Sequence, residues 1–421
     1  MVAAIREADR CGRRVSATVP DYSGVEAARA PRARPRAGAL VLGGDYRALG
    51  VARSLGRRGI PVWLVTDDHW LAAASRYVSR RFRAPEGGEI AQLQFLERLA
   101  SEEGAAGWMI VPTTDRAAEL LSRHHRRIAE HYLVSVPPWQ TLRWAHDKRM
   151  TYALAEKVGV DYPWTLAPAD EGDLWKAAGH FPVILKPAYK PERNAFTDDK
   201  AWRIEDQAAL LVAYRAACEL ITPSAVLVQE FVGGDGSAQF SYAALAVNGR
   251  PVASLCARRV RQWPAAIGRT STYVETIESP EVERAAERLL DGMRFTGLVE
   301  IEFKRDATDG RLKLLDINPR VWGWHSIGRR AGVDFSYLLW RFHHGEPVEP
   351  VRARAGTRWM RLVTDLPMAL LELLQGRLGA LDYLRSLRGP VEGAVFAADD
   401  PLPGLCELPL IAGFVVRRHR L

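Results

Sequence analysis

From residue 39 the chain alternates short apolar runs with amphipathic stretches. ALVL at 39–42 has the length of a buried strand, and GGD follows as a turn. Residues 46–58 fit a helix with Leu49, Ala52, Leu55 and Gly56 on one face. Gly59 ends that helix and PVWLV is the next strand, which completes a βαβ unit. The alternation continues with a helix over 92–100, a strand at WMIVP, a helix over 115–130 and a strand at LVSVP. Residues 38–138 are therefore expected to form a small doubly wound domain.

Past residue 139 the two periods mix. A helix over 147–158 precedes FPVILKPA (181–188), an apolar strand that carries one charge, Lys186. Residues 189–203 are polar and irregular. A helix over 206–219 leads into AVLVQEFV, a Gly-rich turn (GGDGS) and the strand QFSYAALAV, which NGR turns back into PVASLCARRV. A helix over 280–293 comes before two more strands, LVEIEFKRD and RLKLLDINPR, joined by ATDG. Residues 350–421 have a helical stretch near 366–388, then a Pro-rich loop and a short strand. Residues 1–37, rich in Ala, Arg and Pro, show neither period and are expected to be a mobile basic extension.

Composition narrows the class without naming it. With 421 residues, 48% apolar and 26% charged, the chain has room for two or three domains and a large core. No apolar run has the length of a bilayer span and the N-terminus lacks the apolar core of a secretory signal, so the expected compartment is the cytoplasm. The four cysteines are too sparse for a disulfide scaffold or a CxxC zinc site. Half of the net charge of +8 sits in residues 1–36, and the rest is too little to argue for nucleic acid. Only eight of the 58 basic residues are Lys, which makes each one worth inspecting. GGD at 43–45 lacks the full GxGxxG fingerprint, so a tight turn is preferred over a dinucleotide site.

The densest chemistry lies at 297–320. In LVEIEFK, alternation puts Val299, Ile301 and Phe303 on one face and Glu300, Glu302 and Lys304 on the other. In LKLLDINPR, Leu314, Asp316 and Asn318 are expected to share a face. If the two strands pair, Glu302, Asp316 and Asn318 converge as an oxygen-only site suited to Mg²⁺ on nucleotide phosphates. Neither carboxylate is expected to have a basic residue as its main partner. Arg320 would project beside that metal toward a carboxylate or phosphoryl group. Lys186, at the end of an apolar strand, calls for an anionic partner, and phosphate suits it. Lys148 is a second candidate. The extended stretch Gln229, Glu230, Phe231 and Val232 can read an adenine edge, with Asp235 near the ribose. Arg258, Arg259, Arg261 and Arg269 are candidates for the cleft. Trp322, Trp324 and His325 are candidates for a substrate pocket.

Taken in order, Asp147-Lys148, Lys186 in VILKP, VQEFVGG, Glu302 in EIEFK and Asp316/Asn318/Arg320 in LLDINPR resemble the ATP-grasp superfamily. The resemblance covers about residues 38–345 and points to the carboxylate–amine ligase and biotin carboxylase-related branch, with PTTD at 112–115 and SRYVSRRF at 75–82 as further likenesses. It implies an α/β plus α+β fold: a pre-ATP-grasp domain over 38–138, two lobes at about 139–225 and 226–345, and a C-terminal helical extension over 346–421. It implies ATP between the lobes, with Lys148 and Lys186 on its phosphates, and backbone near Glu230 and Val232 on adenine. Glu302, Asp316 and Asn318 would hold Mg²⁺, with Mn²⁺ as an alternative ion. Lys186 and Arg320 would act at the transferring phosphoryl. The implied reaction activates a small carboxylate as an acyl phosphate for attack by an amine, with ADP and phosphate released; the implied assembly includes a homodimer. A carboxylase acting on bicarbonate, and a nucleotide-binding protein without ligase activity, are the alternatives. Three features depart from the family pattern. Asp316 stands where Glu is commoner, the loop after Lys186 has no glycine so that Lys200 would serve there, and Asp235 only approximates the ribose acid.

Overall fold

Strands β1 (Ala39–Leu42), β2 (Val62–Thr66), β3 (Arg80–Arg83), β4 (Met109–Pro112) and β5 (Leu133–Val134) pair in parallel in the order β3-β2-β1-β4-β5. A computed structural model of the chain describes residues 37–408, apart from 68, 190–193, 200, 235 and 264–269, with backbone alone at 198 and 263. The extension 1–36, Lys200, Asp235, Arg269 and the short strand expected near 410 thus lie outside the described residues. β1 and β4 are buried along their whole length, as continuous apolar runs require when helices cover both sheet faces. Those helices include α1 (Tyr46–Gly56), α2 (Glu89–Ser101) and α3 (Asp115–Arg123). The helix expected over 115–130 breaks at His124, and β3, with exposed Arg side chains, carried no apolar signal.

The chain reverses its winding between β1 and β4, so the crevice at their carboxyl ends is the natural binding face of this sheet. Gly43 leaves β1 there with φ +125°, and a Cβ on it would lie 2.1 Å from Thr113 Oγ1. Both the backbone conformation and the close approach demand glycine. Gly43→Ala is expected to cost roughly 1–3 kcal/mol in a urea titration; an unchanged midpoint would show that the turn can relax.

After α4 (Trp139–His146) and α5 (Lys148–Lys157) come two more sheets, the smaller antiparallel and the larger mixed. The smaller has the order β6-β9-β7-β8, from β6 (Thr165–Leu166), β7 (Val183–Pro187), β8 (Trp202–Ile204) and β9 (Val226–Glu230). Its own core, with Leu185, Phe196, Leu210 and Val228, packs against α6 (Gln207–Leu220). The larger sheet runs β14-β13-β10-β11-β12-β16-β17. It is built from β10 (Gln239–Val247), β11 (Arg250–Trp263), β12 (Thr270–Ile277), β13 (Gly297–Arg305), β14 (Leu312–Asn318), β16 (Arg358–Met360) and β17 (Val391–Gly393), while β15 (Val351–Arg352) pairs with β11. β15 runs parallel to β11, and β17 parallel to β16. One face packs on α5 and α7 (Pro280–Met293) through Val299, Ile301, Phe303 and Leu314. The other shares a core with the first domain, in which Val41 and Leu49 join Leu245, Val274 and Trp322.

The C-terminal part keeps the expected helical stretch and adds short strands to it. Its three short strands extend the larger sheet, with α8 (Leu362–Leu374) and α9 (Ala380–Ser386) between β16 and β17. Strands of two or three residues are too short for a period of two to show in the sequence. Residues 402–408, expected as a Pro-rich loop, are helical. The anchor of this region is buried: Arg261 donates to both carboxylate oxygens of Asp365, at 2.8 and 2.7 Å. No helix among the described residues is long and apolar enough to cross a membrane.

Candidate active site

Between the smaller sheet, the larger sheet and the switch point of the first lies a cleft of about 580 Å³. Several regions of the chain meet in it, among them the following. Ile184, Lys186 and Gln229–Val232 come from the small sheet. Glu300, Glu302, Lys304, Asp316 and Asn318 come from the β13–β14 pair. Tyr46 and Arg47 come from the start of α1.

Pairing of β13 with β14 sets Glu302 opposite Asp316 and Glu300 opposite Asn318. A bulge alters the face pattern expected from alternation. Phe303 opposes Leu314, so Leu315 is an extra residue. Leu314 therefore enters the core while Asp316 turns into the cleft, and the two do not share a face. Tyr152 of α5 fixes the bulge: its hydroxyl donates to the Leu315 carbonyl at 3.0 Å and accepts from Lys186 Nζ at 2.8 Å.

The carboxylates do have basic partners, contrary to the expectation. Lys148 Nζ donates to Asp316 at 2.9 Å, and Arg259 approaches Glu302 at 3.3 Å. The reason is tertiary: α5 starts beside β14, with Asp147 capping its N-terminus, and β11 lies two strands from β13. Burial works against the Lys148 ammonium, but Asp316 outweighs it and its proton is held more tightly than usual. Lys186 is different. Burial first, then the Lys148 charge, bring it down to about 7. Glu300, buried under the cleft floor, is pushed up to about 8 by burial and by the neighbouring Glu302. The close carboxylate pair is thus Glu300 with Glu302. Sequence placed Glu300 on the right face but gave it no role.

The remaining donors form one connected set. Asn318 Nδ2 donates to Glu302 at 3.0 Å and to Glu300 at 3.2 Å, and Arg320 donates to Asn318 Oδ1 at 3.0 Å. Arg320 also grips Asp115, in the first turn of α3, at 2.7 and 3.2 Å. It borders the cleft as expected, but fixed to the first domain. Two carboxylates and one amide suit a hard cation that takes its other ligands from phosphate and water. The amide presents its nitrogen to Glu302, so it must turn over to serve as an oxygen ligand. Among the described residues no three His, Cys, Asp or Glu cluster into an all-protein metal site.

At the other end, Gln229 Nε2 donates to Thr165 at 2.7 Å. The N–H groups of Glu230 and Phe231 bond to Trp164 and Pro182 within the small lobe. Those two N–H groups are thus engaged within the small lobe, whereas the sequence points this backbone segment at an adenine edge. The Glu230 carboxylate accepts from Lys313 at 2.8 Å, and Lys304 donates to the Val232 carbonyl at 3.0 Å. Those two lysines tether the lobes along the cleft edge. Of the arginine candidates, Arg259 borders the cleft, while Arg261 anchors α8 and Arg258 pairs with Glu275 at 3.4 Å. Trp324 reaches the cleft, but Trp322 is core and His325 lies away from it. A Cβ on Gly50 would touch the His325 ring, and burial brings that imidazole down to about 4. Tyr152 and Asp115 were not identifiable from sequence, because their roles depend on partners 163 and 205 residues away.

Residues 226–364 match a family model described as ATP-grasp in the biosynthetic pathway with Ter operon. The chain is 24% identical over 299 residues to a D-aspartate ligase of Enterococcus faecium (strain Aus0004), covering 67% of this chain and 70% of that protein. Among solved structures it resembles an L-amino acid ligase from Bacillus licheniformis. The TM-score is 0.58 at 15% identity, over 76% of this chain and 79% of that one. It also resembles the biotin carboxylase domain of a Hydrogenobacter thermophilus 2-oxoglutarate carboxylase, solved with MgADP, ADP and bicarbonate. There the TM-score is 0.61 at 15% identity, over 77% and 74% of the two chains.

Proposed function

We propose that this chain, which has the ATP-grasp fold, is a carboxylate–amine ligase driven by ATP and Mg²⁺. The observation that carries the reading is the joint placement of Glu302, Asp316 and Asn318 opposite Lys148 and Lys186 in one cleft between two sheets. The relative matched by sequence, a ligase named for an amino acid, favours this reading over bicarbonate activation.

Lys148 and Lys186 present ammonium groups to the phosphates; Lys186, with its lowered proton affinity, gains a proton as phosphate oxygens approach. Glu302, Asp316 and Asn318 are the residues that would hold Mg²⁺. When bound, the ion neutralises charge on the phosphate oxygens and aligns the γ-phosphoryl. Release of Asp316 from Lys148 and of Glu302 from Arg259 frees both cations for phosphate and substrate. A substrate carboxylate oxygen then bonds to the γ-phosphorus as the bond to the bridging oxygen breaks, giving an acyl phosphate and ADP. The amine nitrogen attacks the acyl carbon, phosphate leaves with the C–O bond electrons, and the amine gives up a proton. Arg320, locked by Asp115 and Asn318, borders this point as a fixed positive charge.

With hydroxylamine as the amine, a hydroxamate is expected to form in proportion to ADP released from ATP. Formation of AMP and pyrophosphate instead would contradict the mechanism.

A further inference from the structure

We propose that the outer face of α8, α9 and the helical turn at 402–408 docks on an anionic membrane surface, lying on the bilayer without crossing it. Along α8, Leu362, Leu366, Leu370 and Leu374 follow one another every four residues, and with Leu371 they are between 41% and 86% exposed. Asp365, Met368 and Ala369 are buried on the opposite side.

These leucines have no place left in the core, because the inner side of both helices is already fixed. Asp365 accepts from Arg261 and from Thr272 Oγ1, the latter at 2.9 Å. Arg261 also donates to Ser386 Oγ, at the end of α9, at 3.2 Å and lies 5.1 Å from the centre of the Tyr383 ring. One buried guanidinium thus anchors α8 and α9 together, and Leu381 and Leu384 of α9 stay exposed. The third piece joins through Arg361, the residue before α8, which donates to Glu407 at 3.0 Å. On its outer side Leu402, Leu405 and Leu408 recur every three residues and are exposed. Leucines massed on three adjoining helical segments exceed the scattered exposure that is ordinary on a water-facing surface.

The charges around this face are an excess of guanidiniums. Arg377, Arg385 and Arg388 are exposed, and the exposed acid among them, Asp382, pairs with Arg385 at 3.0 Å. Past Leu408 the sequence continues as LIAGFVV at 410–416 and RRHR at 417–420, outside the described residues: a further apolar run with a basic end. A second copy of this face would set one group of arginines against the other with too little acid between them. An anionic lipid surface answers both features at once. The leucines enter the interfacial zone to a depth of about 5–10 Å, and the guanidiniums pair with headgroup phosphates. With 13 residues, α8 is about 20 Å long, too short for the ~30 Å hydrocarbon core, so the contact lies along the membrane.

The test mixes the full chain with vesicles of phosphatidylcholine alone and of equimolar phosphatidylcholine and phosphatidylglycerol, and reads the bound fraction by sedimentation. Binding to the mixed vesicles is expected to be at least about tenfold tighter than to the neutral ones, and to lose that difference in about 0.5 M salt. Leu370→Ser combined with Leu374→Ser should weaken binding to the mixed vesicles at least about tenfold without altering the thermal melt or its rise with Mg-ATP. Arg385→Gln combined with Arg388→Gln should lose most of the preference for the anionic vesicles. Absence of binding to either vesicle overturns the inference. Binding that the leucine pair leaves intact does so too, since it places the contact elsewhere, as on the basic extension 1–36. A dimer in light scattering that the leucine pair dissolves assigns the face to a second copy and also overturns it.

Discussion

Glu302→Gln or Asp316→Asn is expected to lower turnover by roughly two to four orders of magnitude, because each removes a charge that would hold Mg²⁺ against the transferring phosphoryl. The two variants should part company in stability without nucleotide. Asp316 is the ion-pair partner of Lys148, which is largely buried, at 2.9 Å. Loss of its charge leaves an ammonium poorly compensated, and a loss of about 1–3 kcal/mol is expected. Glu302 lies beside Glu300 and raises that group's proton affinity. Its neutralisation removes the longer pairing with Arg259 at 3.3 Å but lets the buried Glu300 ionise more easily beside that same arginine, so stability should change little. Thermal melts with and without Mg-ATP, run beside an ADP-release assay, check both. Retention of full Mg-ATP stabilisation and turnover in both variants would reduce the β13–β14 face to ordinary sheet polarity.

Lys186→Met should weaken ATP binding by at least tenfold while stabilising the protein without nucleotide near pH 6. The sign follows from the lowered proton affinity. Lys186 falls to about 7 in the folded chain, against 10.5 ordinarily, through burial and then Lys148. Between those two values the unfolded chain binds more protons, so native stability rises with pH across that window. Below about pH 7 the full cost of a buried ammonium is present, and Met removes it. The advantage of the variant should shrink steadily from pH 7 upward. In the native protein, nucleotide phosphates restore the charge, so calorimetry at pH 8 in buffers of different ionisation enthalpy should show a proton taken up on binding. An unchanged dissociation constant for the Met variant would remove Lys186 from the phosphate site.

How much of this was legible beforehand depends on the range of the forces involved. Buried runs such as ALVL and VILKP, and the alternation in EIEFK, are short-range consequences of strand geometry. They marked the elements, the polar face of β13 and the lysine on β7. The DINPR strand was also recognisable, and Asp316 and Asn318 do face the cleft with Glu302, but Leu314 does not share that face. A one-residue bulge at Leu315 inverts the alternation, and it is held by Tyr152, 163 residues away.

The sequence by itself determined the order of the longer elements, the acidic and amide side chains of β13 and β14 and the two lysines, because each is a property of a few neighbouring residues. Only the tertiary structure decided the partners. It set Lys148 on Asp316, Arg259 by Glu302 and Arg320 on Asp115, and it packed Tyr46 against the core ring of Trp359 across 313 residues of chain. It also added to the expected C-terminal helices three short strands that extend the larger sheet. The physical reason is common to all of these. A buried charge is stable only beside a counter-charge, and an aromatic ring only where apolar surface meets it. Which residue provides that match is set by the packing of distant strands, and no local period encodes it.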